Sequence, residues 1–147
     1  MTREDVDWII KRAREKGKHP NLSGLDLSGL DLGGLDLRLA NLTGTDLTGA
    51  DLRWVLGRAV MLPMTPSGCG FFAPTPDGWR VSIGCWKHRA LDDLRHLVTD
   101  PDAEWPEATG YERERRRPIL AAILAFCDAH AAYHADVVPE LAERWAA

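Results

Sequence analysis

A leucine recurs at every fifth residue from Leu22 to Leu52, and an aspartate or asparagine precedes each one. The central positions are Leu22, Leu27, Leu32, Leu37, Leu42, Leu47 and Leu52, preceded by Asn21, Asp26, Asp31, Asp36, Asn41, Asp46 and Asp51. Seven such units run from Pro20 to Trp54 without a break. A period of five fits neither the roughly 3.6 residues of an α-helical turn nor the roughly 2 of a strand. The chain has to turn a corner once per unit.

If four units close one turn, each points its central leucine into the shaft, together with the residue two before it (Pro20, Leu25, Leu30, Leu35, Ala40, Thr45 or Ala50). Identical leucines then stack from turn to turn, and backbone groups pair between turns at about 4.8 Å. Gly24, Gly29, Gly34, Gly44 and Gly49 end most units, where the chain bends and a side chain would crowd. The aspartates and asparagines suit the corners because their short side chains can bond nearby amides. Such a solenoid cannot bury its core one unit at a time, and its ends need caps.

The run resembles the pentapeptide-repeat family, whose motif is Ala-(Asp/Asn)-Leu-x-x. The resemblance implies a short right-handed quadrilateral β-helix of about two turns, in a fold that mixes β and α. Leu25, Leu30 and Leu35 stand where the motif has alanine and are expected to widen the first turn. The resemblance covers about a quarter of the 147 residues. Some members of the family are implicated in binding DNA gyrase as rod-like acidic mimics of duplex DNA. Fewer than two turns amount to about 10 Å of rod, too short to imitate a useful length of duplex alone.

Charge and composition bound the rest. The net charge is −4, and five aspartates of the repeat contribute much of it. One reading is a solvated acidic wall, and the other is a surface that steers toward a basic partner. No segment approaches the roughly 18 consecutive apolar residues of a membrane span, and residues 1–18 lack the apolar core of a signal peptide. Three cysteines are an odd number, read as reduced thiols in a cytoplasmic protein.

Three segments follow from the pattern. Residues 1–18 hold an amphipathic helix, Thr2–Lys16, with Thr2 and Asp5 as a capping signal and Gly17 as its stop. Val6, Ile9, Ile10 and Ala13 share a face, with Trp8 beside it, while Arg3, Lys11, Arg12, Arg14 and Lys16 are expected in solvent. This helix is expected to cap the lower end of the coil, which fills residues 19–57. Residues 58–147 read as a small α/β unit sealing the upper end. Arg58–Met64 and Trp79–Cys85 have strand composition, joined by a Gly- and Pro-rich stretch from Thr65 to Gly78 in which Phe71 and Phe72 form a short strand. Helices are expected at Ala90–Val98, Glu112–Tyr133 (with Pro118 dividing off its charged start) and Val138–Trp145, with a loop over Thr99–Gly110.

The tail carries a second resemblance, to uncharacterised tails of bacteriophage and actinobacterial pentapeptide-repeat proteins. It rests on Ile83-Gly84-Cys85-Trp86, Trp105-Pro106-Glu107, Arg117-Pro118 and Leu124-Ala125-Phe126-Cys127-Asp128-Ala129-His130. It implies a phage or mobile-element origin and brings no activity with it.

Candidate chemistry is sparse. Cys85 with His88 and Cys127 with His130 are two Cys-x-x-His pairs, a sufficient tetrahedral set for structural zinc if the strand end meets the long helix. The competing reading makes Cys127 a small hydrophobe in an apolar stripe, and no cofactor is the expectation. Neither a phosphate loop nor a nucleophile elbow is present, so no catalytic residues are assigned. Arg115, Arg116 and Arg117 could clamp an anion or, with Glu112, form a solvated helical turn. Six tryptophans are many for this length, and Trp54, Trp86 and Trp105 are the candidates for a partner-facing patch.

The expected function is therefore a non-enzymatic interaction module. Its expected partner is a bacterial host protein, a defence or DNA-topology protein that it inhibits, rather than nucleic acid or membrane. A homodimer is a further expectation, because an uncapped coil end presents an open edge. The alternative is a small-ligand or nucleotide binder that uses the C-terminal segment.

Overall fold

The computed structural model describes residues 1–65, 68–105, 108 and 110–146. Helix α1 (Arg3–Glu15) starts on a reciprocal capping box. The Thr2 hydroxyl accepts from the Asp5 amide at 3.2 Å, and the Asp5 carboxylate accepts from the Thr2 amide at 2.7 Å. It ends where Gly17 turns left-handed at φ 67° and its amide bonds the Arg14 carbonyl at 2.9 Å.

The repeats form no long strand. One residue per unit makes a single parallel bridge with the residue twenty positions later: Asn21 with Asn41, Asp26 with Asp46, Asp31 with Asp51 and Asp36 with Leu56. The chain thus returns to the same lateral position every four units. Eleven backbone hydrogen bonds of 2.7–3.1 Å join the two turns, so the bulkier Leu25, Leu30 and Leu35 of the first turn do not disturb the pairing. All seven central leucines are buried. The last bridge reveals an eighth unit beyond the seven legible in the sequence. In it, Leu56 takes the Asp/Asn slot and Gly57 the leucine slot. A Cβ on Gly57 would lie 2.7 Å from the Leu37 backbone, so no leucine fits there.

Helix α1 closes the lower end by supplying donors that a further turn would otherwise supply. Between turns, the Asp51 and Arg53 carbonyls accept from the amides of Leu32 and Gly34. One turn below, the matching carbonyls of Asp31 and Gly33 accept instead from the Arg3 guanidinium, at 2.8 and 2.9 Å. Arg14 does the same for the Arg38 carbonyl at 2.6 Å. The expectation that Arg3 and Arg14 are solvated is thereby corrected. Unpaired carbonyls at a buried coil end are costly, and these two arginines are the side chains within reach. Val6 and Ile10, both buried, join the leucines in one core.

Above the coil lies an antiparallel sheet of β1 (Val60–Thr65), β2 (Gly68–Thr75), β3 (Gly78–Ile83) and β4 (Trp86–Ala90), in spatial order β1-β2-β3-β4. The sequence reading missed β4, whose lysine, histidine and arginine mask its alternation. It also took most of β2 for a connection. That Gly- and Pro-rich stretch is an inner strand buried on both faces. Phe71 and Ala73 join the coil core from one face, and Phe72 joins a second core from the other. Gly70 permits the close approach of β3, since a Cβ there would sit 2.6 Å from the Ser82 carbonyl.

Helices α2 (Leu91–Thr99), α3 (Gly110–Tyr133) and α4 (Val137–Arg144) complete the fold. The second core joins Leu62, Phe72, Val81 and Ile83 of the sheet to Leu94 and Leu97 of α2 and to Leu120, Ile123, Leu124 and Cys127 of α3. Helix α3 runs through Pro118 unbroken. Just beyond α4, Trp145 donates its indole N–H to the Leu39 carbonyl at 2.9 Å and ties the C-terminal end to the coil. The layers are therefore coil, sheet and helices. Both coil ends are covered, which removes the open edge on which the expected dimer rested.

Candidate functional site

Seven side-chain-to-backbone bonds set the corners of the coil. In every unit from Asn21 to Asp51, the Asp or Asn Oδ1 accepts from the amide two residues on, at 2.9–3.1 Å. The same aspartates carry the acidic charge, and four of the five are matched. Arg3 lies 3.4 Å from Asp31, Arg38 2.8 Å from Asp36, Lys87 2.7 Å from Asp46 and Arg53 2.5 Å from Asp51. The Arg38 guanidinium holds the Asp36 carboxyl down at about 2, and Arg53 does the same for Asp51. Partial burial pushes Asp46 upward, yet bonds from Lys87 and Thr48 together bring it to about 2. A wall so compensated steers a basic partner weakly.

The residue that ends each unit adopts a left-handed backbone. Five of these are glycines, with φ between 67° and 76° at Gly24, Gly29, Gly34, Gly44 and Gly49. The other two are Leu39 at 58° and Trp54 at 61°. Leu39 is held by Trp145 through its carbonyl. Trp54 is 88% exposed, so its side chain gains little packing to offset its strained backbone.

The other two tryptophan candidates differ. Trp105 is buried, 9% exposed, within the second core, which corrects its assignment to a partner-facing patch. Trp86 is half-buried with the Arg89 guanidinium over its ring at 5.6 Å. The two indoles border a cavity of about 490 Å³ shared with Arg89, Asp93, His96, Leu97 and Glu104. Among the described residues, the buried Trp105 indole N–H has no hydrogen-bond partner. Pro106 and Glu107, which follow it in the sequence motif, lie outside the described residues.

The three arginines do not form a shared anion clamp. Arg117 donates to the Leu97 and Val98 carbonyls at 3.0 and 2.9 Å and so caps the end of α2. Arg115 points outward, bonded to Glu112 at 3.0 Å and lying over Tyr111. Arg116 lies 3.6 Å from Glu112.

Nor does the sheet bring the four zinc candidates together. His88 meets the edge of Phe71 on the coil side, while His130 meets Phe72 on the helix side and bonds the Arg58 carbonyl at 2.8 Å. Cys85 is exposed in the β3–β4 turn, and Cys127 is fully buried, its thiol pushed up to about 12 by burial. Among the described residues no three His, Cys, Asp or Glu side chains gather as metal ligands would.

One surface escaped the sequence reading. Met61 and Pro63 of β1, at the sheet edge, form a groove of about 660 Å³ with Pro118, Ile119, Ala122, Ile123 and Phe126 of α3. Met61, Ile119 and Phe126 are each more than two-fifths exposed. The signal was available: apolar residues occupy too much of the circumference of α3 for a single buried stripe.

With this geometry in hand, comparison with known proteins adds one finding. Residues 21–56 match the profile of the pentapeptide repeats family in eight copies, in agreement with the eighth unit seen in the structure. No curated protein and no solved structure matches the chain at a significant level.

Proposed function

We propose that this chain is a non-enzymatic protein-interaction module, built on a short right-handed quadrilateral β-helix and anchoring a bacterial partner protein through Trp54. One observation carries the reading. A tryptophan occupies a corner slot that prefers glycine, at φ 61°, with nearly all its surface in water. The left-handed backbone costs an L-residue about 1–2 kcal/mol, and the exposed indole adds little packing to offset it. Strain of this kind concentrates at recognition sites, and tryptophan is the residue most enriched among binding hot spots. Arg53, its neighbour, is also largely exposed, at 72% of its side chain. The charge-matched wall and the short rod favour contact through such an anchor over duplex mimicry.

Affinity capture from nuclease-treated bacterial lysate, run in parallel with wild type and Trp54→Gly, tests the reading. A protein retained in stoichiometric amount by wild type and lost with the variant supports it. Equal retention by both overturns the role of Trp54.

The second reading, a small-ligand binder, is favoured by the cavity between Trp86 and Trp105 rather than by Arg115–Arg117. Titration calorimetry with nucleotides separates the two readings, because saturable heat abolished by Trp86→Ala belongs to the ligand reading alone.

A further inference from the structure

The turn after α1, the first repeat unit and the end of α4 border a cavity of about 480 Å³, lined by Gly17, Lys18, His19, Asn21, Arg144 and Trp145. That size is within the roughly 300–1,000 Å³ of small-molecule sites. The polar side chains around it offer donors and no free acceptor. Arg14 Nη1 lies 3.1 Å from His19 Nδ1. A guanidinium can only donate, so Nδ1 accepts and the ring N–H is on Nε2. Asn21 Oδ1 accepts from the Ser23 amide and hydroxyl, at 3.1 and 2.7 Å, which leaves its NH2 group to donate. Lys18 and Arg144 have no ion pair or side-chain hydrogen bond among the described residues, and no carboxylate is among the described residues that line the cavity.

Both cations stand at helix C-terminal ends, where the dipole favours positive charge. His19 and Asn21 owe their orientation to Arg14 and to the coil corner instead, so the fold itself turns two further donors outward. Trp145 completes the wall. Its indole N–H is engaged by the Leu39 carbonyl at 2.9 Å, so it offers the cavity a flat apolar ring.

We infer that this cavity binds a phosphate monoester whose flat organic body rests on the Trp145 indole, the chemistry of a nucleoside monophosphate. The charges of Lys18 and Arg144 match the roughly −1.5 to −2 of a phosphate monoester near pH 7, whereas a carboxylate would leave one of them unmatched. Three phosphate oxygens accept charge-assisted bonds from the ammonium and the guanidinium, with the His19 and Asn21 N–H groups beside them. The site shares no described lining residue with the cavity between Trp86 and Trp105, and it is independent of partner binding through Trp54.

Titration calorimetry of the full chain with adenosine 5′-monophosphate, in phosphate-free buffer of low salt, tests the inference. One molar equivalent is expected to bind, with affinity lowered about tenfold or more by Arg144→Ala and by Lys18→Ala. Both residues are exposed, so the thermal melts of the variants are expected to match wild type. Adenosine and inorganic phosphate are each expected to bind about tenfold or more weakly than the monophosphate, since each lacks one half of the ligand. Trp86→Ala is expected to leave the titration unchanged. Absence of saturable heat overturns the inference. So does equal affinity in wild type and both charge variants, adenosine or inorganic phosphate binding as tightly as the monophosphate, or heat that Trp86→Ala abolishes.

Discussion

At the end of the third unit of its second turn, the coil holds a tryptophan in a backbone conformation that five other units reserve for glycine. Trp54→Gly removes that strain, although a more flexible unfolded chain takes back part of the gain. The variant is expected to be as stable as wild type or more so, by up to about 1 kcal/mol, in urea denaturation, while losing its partner. A mutation that stabilises the fold and abolishes binding would mark the residue as functional. Gly57 makes the opposite case. Its φ of 135° and the 2.7 Å approach to Leu37 leave no room for a methyl group. Gly57→Ala is expected to cost about 2–4 kcal/mol in the same measurement.

The coil was the most legible element, because a period of five with an invariant leucine admits few geometries. The capping box and stop of α1 were equally plain in Thr2, Asp5 and Gly17. What stayed hidden depended on contacts distant in sequence. Arg3 reads as a solvated charge until the carbonyls of Asp31 and Gly33, 28 and 30 residues away, are placed above it. Strand β2 reads as a loop because glycine and proline are depleted in strands, and the two cores that bury Phe71, Ala73 and Phe72 are built from residues distant in sequence. Of the site candidates, Trp54 is on the surface and Trp105 is not, a distinction that depends on the second core. Arg3→Ala withdraws two charge-assisted bonds from the coil end and is expected to lower stability by about 1–3 kcal/mol, read by thermal melting. The aspartates add a dependence on pH. Asp36, Asp46 and Asp51 are each held near 2 in the fold, below the value of about 3.9 in an unfolded chain. Their stabilisation is whole above about pH 4 and is lost as the pH falls toward 2. Urea midpoints should therefore decline across that window, and Arg38→Ala with Arg53→Ala should flatten the decline.

At the scale of the molecule, two cores share one sheet. Phe71 and Ala73 belong to the coil while Phe72, one residue along, belongs to the helices. Residues 58–147 expressed alone would bare the coil-facing side of the sheet. They are expected to bind a hydrophobic dye and to lack a cooperative melt, whereas the whole chain melts in one transition. A folded, dye-silent fragment would show the two cores to be independent. The twenty-residue return of the coil has a further consequence. Four extra units inserted after Gly44 would lift the sheet and its helices by about 4.8 Å and leave their bearing toward α1 nearly unchanged, whereas one, two or three units would turn them to a different bearing. The repeat thus works as a ruler with a compass on it, by which an anchor such as Trp54 could be moved in height or in heading separately.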